Sequence, residues 1–179
     1  MLLGEAMRLI WGDALLDSEG MRNTPDRVIK HWLAATEGLG EEAAEHLGKT
    51  FECPYDEMVL IKNIPFTSLC EHHLLTFYGV AHVGYIPQGR VVGLSKVPRC
   101  LDTLAARPQM QERLTYEMAQ IIQSVLQPLG TIVVIEAQHS CMSCRGVKKE
   151  GSKTLTSLVL GLFKEDAASR AEAFSLIAM

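Results

Sequence analysis

The sequence predicts an α+β fold built on a mostly antiparallel sheet. Three observations carry this reading. The hydrophobic period is helical near the start of the chain and becomes strand-like from Met58 onward. The strand-like runs come in pairs with amphipathic helices between them, instead of in strict β-α alternation. No repeat, linker or shift in composition marks a second domain in 179 residues, a length that suits one core.

Taken in order, residues 2–17 place Leu3, Met7, Ile10, Ala14 and Leu15 at helical spacing, and Gly20 ends the segment. Thr24-Pro25-Asp26 reads as a helix start: a capping hydroxyl, a proline in the first turn, and an acid near the positive end of the dipole. Val28, Trp32 and Ala35 give that helix its apolar side, while Arg27 and Lys30 share another face. Residues 37–49 are polar and glycine-punctuated, which predicts a loop with a short helical turn. Met58 to Ile64 is a strand apolar on much of both sides, and Val80 to Ile86 is a second. Pro87-Gln88-Gly89 then predicts a turn with Arg90-Val91-Val92 as the hairpin partner of that second strand. Ser95 is placed to cap a short helix ending near Ala106, with Pro98 tolerated in its first turn. Gln109 to Gln127 is a long amphipathic helix striped by Leu114, Met118, Ile121, Ile122, Val125 and Leu126, and Pro128-Leu129-Gly130 stops it. Thr131 to Ala137 and Lys153 to Phe163 are two more strands, and residues 165–177 form a charged terminal helix.

Composition narrows the function classes. With 47% hydrophobic and 21% charged residues the chain is globular, not disordered. A net charge of -4 argues against a general nucleic-acid binder. No apolar run approaches the roughly 20 residues that span a bilayer, so no membrane partner is expected. The start lacks a basic region followed by a long apolar one, so no signal peptide is expected, and five cysteines, an odd number, fit a reducing cytoplasm better than a disulfide framework.

Chemistry concentrates at Cys70-Glu71-His72-His73 and His139-Ser140-Cys141. Cys70 and His73 form a C-x-x-H, from which a thiolate and an imidazole meet one metal ion across a tight turn. Placed between two strands, the pair sits on a loop. Cys141 is the best candidate for a third ligand, and three protein ligands with an open fourth position are the design of a catalytic zinc. His72 and His139 then stand beside ligands as free imidazoles suited to proton transfer. Cys141 and Cys144 also form a C-x-x-C, which with Cys70 and His73 makes a closed, structural four-ligand site. Spacing alone leans to the closed site. Parity leans to the open one, because His139, Cys141 and Arg145 share a face if the backbone stays extended.

These motifs, with Gly93-Leu94-Ser95-Lys96 and Arg99, the run from Arg107 to Leu114, Glu136 to Met142 with Arg145-Gly146, and Thr154 to Ser157 with Gly161 and Phe163, resemble those of GTP cyclohydrolase I in order and kind. The resemblance implies the tunnelling fold, an antiparallel sheet with helices packed on one side, whose sheets join into a barrel in the oligomer. It implies one such domain over residues 1–179, with 1–50 an N-terminal helical segment and 51–179 the catalytic core. The implied assembly is a homodecamer of two pentamers with active sites at subunit boundaries.

The same resemblance implies that Cys70, His73 and Cys141 hold Zn2+ and that His72 and His139 are catalytic, with Ser95 a further proton carrier. It places Gln111 and Glu112 at the guanine, and Arg27, Lys30, Ser95, Lys96, Arg99 and Arg145 at the triphosphate of GTP. The implied reaction converts GTP and water to 7,8-dihydroneopterin triphosphate and formate, with His139 protonating the purine N7 and the division of labour between the two histidines left open. Departures from the family pattern are Cys144, Pro98 and a short N-terminus, which is expected to carry no regulatory extension. Two other readings stand beside this one. A tunnelling-fold relative such as the nitrile reductase of queuosine synthesis would use a cysteine nucleophile and nicotinamide without the Cys70, His73 and Cys141 set. A zinc-stabilised assembly protein would need neither His72 nor His139. Trp11 and Trp32 read as core or subunit contact, Cys53 and Cys100 as inert thiols, and His31, His46 and His82 as surface or structural. Glu71 reads either as support for a ligand or as a solvated acid.

Overall fold

The computed structural model describes residues 2–179. They fall into two compact units, divided between Thr36 and Glu37. The first is helical, with α1 (Leu2–Trp11), α2 (Asp13–Leu16) and α3 (Thr24–Ala35). The single helix predicted for residues 2–17 is divided at Gly12, whose φ of 82° suits glycine alone without strain. Arg8 bridges the break to Asp13 and Asp17 at 3.0 and 2.8 Å. Thr24 begins α3 instead of capping it: its hydroxyl points back to the Gly20 carbonyl.

The second unit opens with a 3₁₀ turn at Ala43–Gly48 and β1 (Thr50–Glu52). There follow β2 (Val59–Cys70), β3 (Thr76–Ile86), β4 (Arg90–Val92), α4 (Lys96–Ala105), β5 (Pro108–Gln109) and α5 (Gln111–Leu126). The chain ends with β6 (Gly130–His139), α6 (Ser140–Ser143), β7 (Thr154–Gly161), α7 (Leu162–Glu165) and α8 (Ala167–Ala178). The main sheet has the order β5-β2-β3-β6-β7 and is antiparallel except for the short β2–β5 pairing.

β2 runs farther than its alternating pattern predicts, through Pro65 to Cys70. Proline is tolerated there because β2 pairs with β3 on one side, while β5 meets its other side only at Leu69 and Cys70. A bulge between Ile61 and Ile64, with Asn63 at φ 58°, resets the register. The predicted hairpin of β4 on β3 does not form. Both edges of β3 are already taken, by β2 and by β6, and β4 pairs with β1 instead. The Tyr85 hydroxyl accepts from the Val92 amide at 3.2 Å and ties the small sheet to the large one.

β6 is central and buried on both faces, which is why its sequence is a continuous β-branched run. On one face Val133, Ile135 and Ala137 join Phe77, Ala81 and Val83 of β3 against Leu114, Met118 and Ile122 of α5 and Leu101 and Leu104 of α4. A fully buried side chain of this kind contributes about 1.5–3 kcal/mol. On the other face Ile132 and Val134 pack with Phe163 and Ala173, so the C-terminal helices cover that end. Gln127, left-handed at φ 47°, ends α5 just before Pro128. Gly79 is required where β3 and β6 come closest: a Cβ there would lie 1.9 Å from the Glu136 carbonyl oxygen. Among the described residues no helix is long and apolar enough to cross a membrane.

His82 lies buried on the second face of β3, and its Nδ1 accepts from the Asn63 amide of the bulge at 3.4 Å. Burial, and then Lys62 nearby, hold its pKa below the usual range, with Glu136 opposing. A histidine that is harder to protonate folded than unfolded gives stability above its unfolded pKa of about 6.5, and that stability is lost as pH falls through the lower folded value. The unfolding free energy of the wild type should therefore fall more steeply between pH 7 and 5 than that of His82→Gln, measured by denaturant titration at each pH. Parallel slopes would remove His82 from the acid sensitivity of the fold.

Candidate active site

The two motifs meet at one end of the sheet. Register sets this: Phe77 of β3 lies opposite Ser68 of β2 on one side and His139 of β6 on the other. Past Cys70 the chain folds into a tight turn. The amides of His73 and Leu74 both donate to the Cys70 carbonyl, at 3.3 and 2.8 Å, and Leu74 takes φ 52°. The turn brings His73 back over Cys70. Past His139 the backbone does not stay extended, as the parity argument required. It enters α6, a single helical turn, and Cys141 reaches the site from there.

The ligating atoms of Cys70, His73 and Cys141 all lie within 4.8 Å of one another. Cys144 is exposed and stands outside this group. The donor set fits a metal on its chemistry. Two thiols and an imidazole converge, and the Cys141 thiol is pushed up by burial and then by its neighbour Cys70, with Arg145 opposing. A cation between the thiols reverses that crowding. Arg145 also donates to Nε2 of His73.

His139 is half-buried and stacks on Phe77, with ring centroids 4.8 Å apart and planes 2° from parallel. Burial lowers its pKa, and Glu112 opposes. Its Nε2 lies 2.8 Å from Oε1 of Gln111. The amide nitrogen of Gln111 in turn donates to the carbonyls of Ile135 and Thr154 at 2.9 and 3.0 Å and to Oγ1 of Thr156 at 3.1 Å. Backbone carbonyls accept only, so the nitrogen end of Gln111 must face them and the oxygen end must face His139. His139 therefore carries its proton on Nε2 and keeps a free lone pair on Nδ1.

Gln111, expected at the base, lines the same cavity as Glu112, and its side chain is buried and hydrogen-bonded within the fold. The apolar stripe of α5 held the signal, since Gln111 precedes Leu114 and Thr115 at helical spacing on the buried side. Glu112, one residue on, is exposed at the mouth of a cavity of about 370 Å3 that Cys70, His72, Met110, His139 and Cys141 also line. His72 is exposed, with Nδ1 3.9 Å from the Cys70 sulfur.

Ser95, Lys96, Arg99, Arg27 and Lys30, expected at the triphosphate, lie on α4 and α3. Ser95 sits at the cap position of α4 with no side-chain cap bond, and Arg99 is exposed. Lys96 lines a separate cavity with Glu41, Glu42 and Glu45. Arg27 and Lys30 lie on the exposed face of α3 in the first unit. Arg113, part of the Arg107–Leu114 run but given no role by the sequence, pairs with Glu71 in the turn that carries Cys70 and His73. Cys100 is buried, and burial pushes its thiol up to about 12.

Known proteins agree with this architecture. The sequence model of the GTP cyclohydrolase I family matches residues 5–178. A protein named GTP cyclohydrolase 1 from Pelotomaculum thermopropionicum is 55% identical over 162 residues, covering 90% of this chain and 86% of that protein. Another of the same name from Clostridioides difficile is 54% identical over 165 residues, covering 91% and 87%. Among solved structures, the archaeosine synthase QueF-Like in the apo form shares the fold at a TM-score of 0.50 and 17% identity, over 62% of this chain and 97% of that one. With its sequence matched nearly end to end, the chain belongs to the GTP cyclohydrolase I family.

Proposed function

We propose that the chain hydrolyses and rearranges GTP to 7,8-dihydroneopterin triphosphate and formate, at the cavity bounded by Cys70, His139 and Glu112. The observation that carries this reading is the convergence of Cys70, His73 and Cys141 beside a histidine whose tautomer is fixed by a buried amide. Those three residues would hold zinc, and zinc when bound supplies a Lewis acid that makes water a nucleophile near neutral pH.

The chain's own groups do the rest. The Glu112 carboxylate offers two acceptors to the N1–H and the exocyclic amine of guanine. That turns the C8 side of the purine toward His139 and His72. His139 holds a free lone pair at Nδ1, accepts the proton of the water that attacks C8 and passes it to N7, which becomes N–H as the C8–O bond forms. His72, exposed beside Cys70, then carries the proton that the C8 hydroxyl loses to N9, as the C8–N9 bond breaks and the C8 carbonyl forms. A second hydrolysis releases C8 as formate. The ribose then opens and rearranges, with Ser95 a further proton carrier, and its carbonyl condenses with the freed amine with loss of water. Phe77 keeps the His139 ring in plane throughout.

Arg145 is the triphosphate cation that this chain places beside the metal residues. Arg27, Lys30, Ser95, Lys96 and Arg99 complete the phosphate site in an assembly of several copies, with the forked guanidinium groups gripping phosphate oxygens. Two features support such a homo-oligomer, for which a decamer of two pentamers is the family arrangement. β7 presents an unpaired edge along its whole length. The first unit exposes Leu9 at 90%, Ile10 at 70% and Leu33 at 67%, more apolar surface than a helical pair in water usually shows. Five free thiols support a cytoplasmic setting.

His139→Ala should keep its zinc and lose about 10²–10⁴-fold in turnover, the usual contribution of a general acid or base. Cys141→Ala should lose zinc and turnover together, and Cys144→Ser should lose neither. Zinc per chain and the rate of GTP consumption, read on each variant, decide the matter. Loss of zinc from Cys144→Ser would instead support a closed site. Glu112→Gln offers one acceptor where two are needed. It should weaken GTP binding about 10- to 100-fold, the equivalent of one charge-assisted hydrogen bond. Unchanged affinity, with unchanged discrimination against ATP, would remove Glu112 from the base.

A further inference from the structure

Glu71 stands between two metal-binding residues, and the fold gives it a partner. Its amide donates to the Gln109 carbonyl at 3.0 Å, and its carboxylate pairs with Nη2 of Arg113. Arg113 lies at the third position of α5, two residues past Gln111. Its Nε donates to Oε1 of Gln109 at 2.8 Å, and Nη2 also donates to the Pro108 carbonyl at 3.3 Å. Gln109 is buried, and its amide nitrogen donates to Glu117 at 2.8 Å and to the Leu104 carbonyl at 3.3 Å. The guanidinium is thus fixed by two groups of β5, the Gln109 side chain and the Pro108 carbonyl, before it meets Glu71. It cannot follow the turn if the turn moves.

The geometry is not that of an ordinary surface ion pair, which contributes little. The Glu71 and Arg113 side chains are 30% and 36% exposed, and Arg113 holds several bonds at once. Nor does the fold need the pair for its core: α5 is seated by Leu114, Met118 and Ile122. The turn's other ties to the rest of the fold are the Glu71 amide on the Gln109 carbonyl and Arg145 on Nε2 of His73. His72 and His73 are exposed, and Leu74 holds a left-handed conformation that a branched side chain disfavours. Cys70 is held by β2 and β5, and the Glu71–Arg113 pair anchors the exposed part of the turn to the first turn of α5.

We infer that Arg113 is a positioning residue for the metal turn: through Glu71 it locks Cys70-Glu71-His72-His73 in the arrangement that retains the ion. This rests on the metal-site reading above. The lock acts on retention of the ion, not on the chemistry of GTP. Groups that support metal ligands in this way commonly change metal affinity by about 10–100-fold.

The test uses the zinc-loaded full-length protein and reads zinc transfer to a chromogenic chelator. Glu71→Gln keeps the shape of the side chain and removes its charge, so it guards against a folding failure. Glu71→Gln and Arg113→Met should each release zinc about 10–100-fold faster than wild type. The double variant should release it no faster than the worse single one, because both remove the same lock. Arg113→Lys, which keeps the charge without the fork, should fall between. In the cobalt-loaded forms the d–d absorption should shift in Glu71→Gln and Arg113→Met alike. Melting temperatures of the metal-free variants should stay within about 3 °C of the metal-free wild type. Release at the wild-type rate overturns the inference, as do multiplicative effects in the double variant or loss of zinc only in step with metal-free stability. Should the wild type itself take up no zinc or cobalt, the metal-site reading falls and this inference with it. Normal uptake with unaltered release in the variants sinks this inference alone.

Discussion

The site depends on one buried amide. Gln111 offers two donor hydrogens and one acceptor oxygen, and the fold uses both ends: the nitrogen on β6 and β7, the oxygen on His139. A buried amide left unpaired costs about 1–3 kcal/mol, so the network is stable only when complete. Completing it fixes three things together. The first turn of α5 is seated against the sheet, β7 is tied to the helix, and the His139 ring is held to one tautomer. Replacing Gln111 by a hydrocarbon of similar size would fill the space and still free the imidazole to rotate.

The same turn of helix reaches the other half of the site. Gln111, Glu112 and Arg113 are consecutive, and helical geometry sends them in three directions: to His139, to the cavity and to the turn that carries Cys70 and His73. A single rigid element thereby sets the distance between the imidazole and the Cys70, His73 and Cys141 group. This is a physical reason for placing such a site where a helix begins beside strand ends. The core stripe of α5 supplies the rigidity, and its first turn supplies the chemistry.

Much of this was legible in the sequence. The period change at Met58, the stripe of α5 and the β-branched run of β6 gave the α+β class, because local periodicity reflects which faces are buried. Cys70, His73 and Cys141 could be named as candidates from residue type, since metal ligation demands few residue types, but spacing alone leaned to a closed site with Cys144, and the resemblance supplied the set without it. Other features were not local. The partner of β4 depended on whether the edges of β3 were already filled, which only the whole sheet decides. The face of Cys141 depended on α6 replacing an extended segment. The bonds of Gln111 are to residues 24 to 45 positions away, and no window along the chain contains them.

Zinc-loaded protein incubated with GTP, followed by measurement of formate and of the neopterin fluorophore released after oxidation and dephosphorylation, tests the central claim most directly. The account predicts that formate and pterin appear in equal amounts as GTP disappears, and that both depend on the metal. GTP left intact by zinc-loaded protein, or formate released without a pterin, would contradict it.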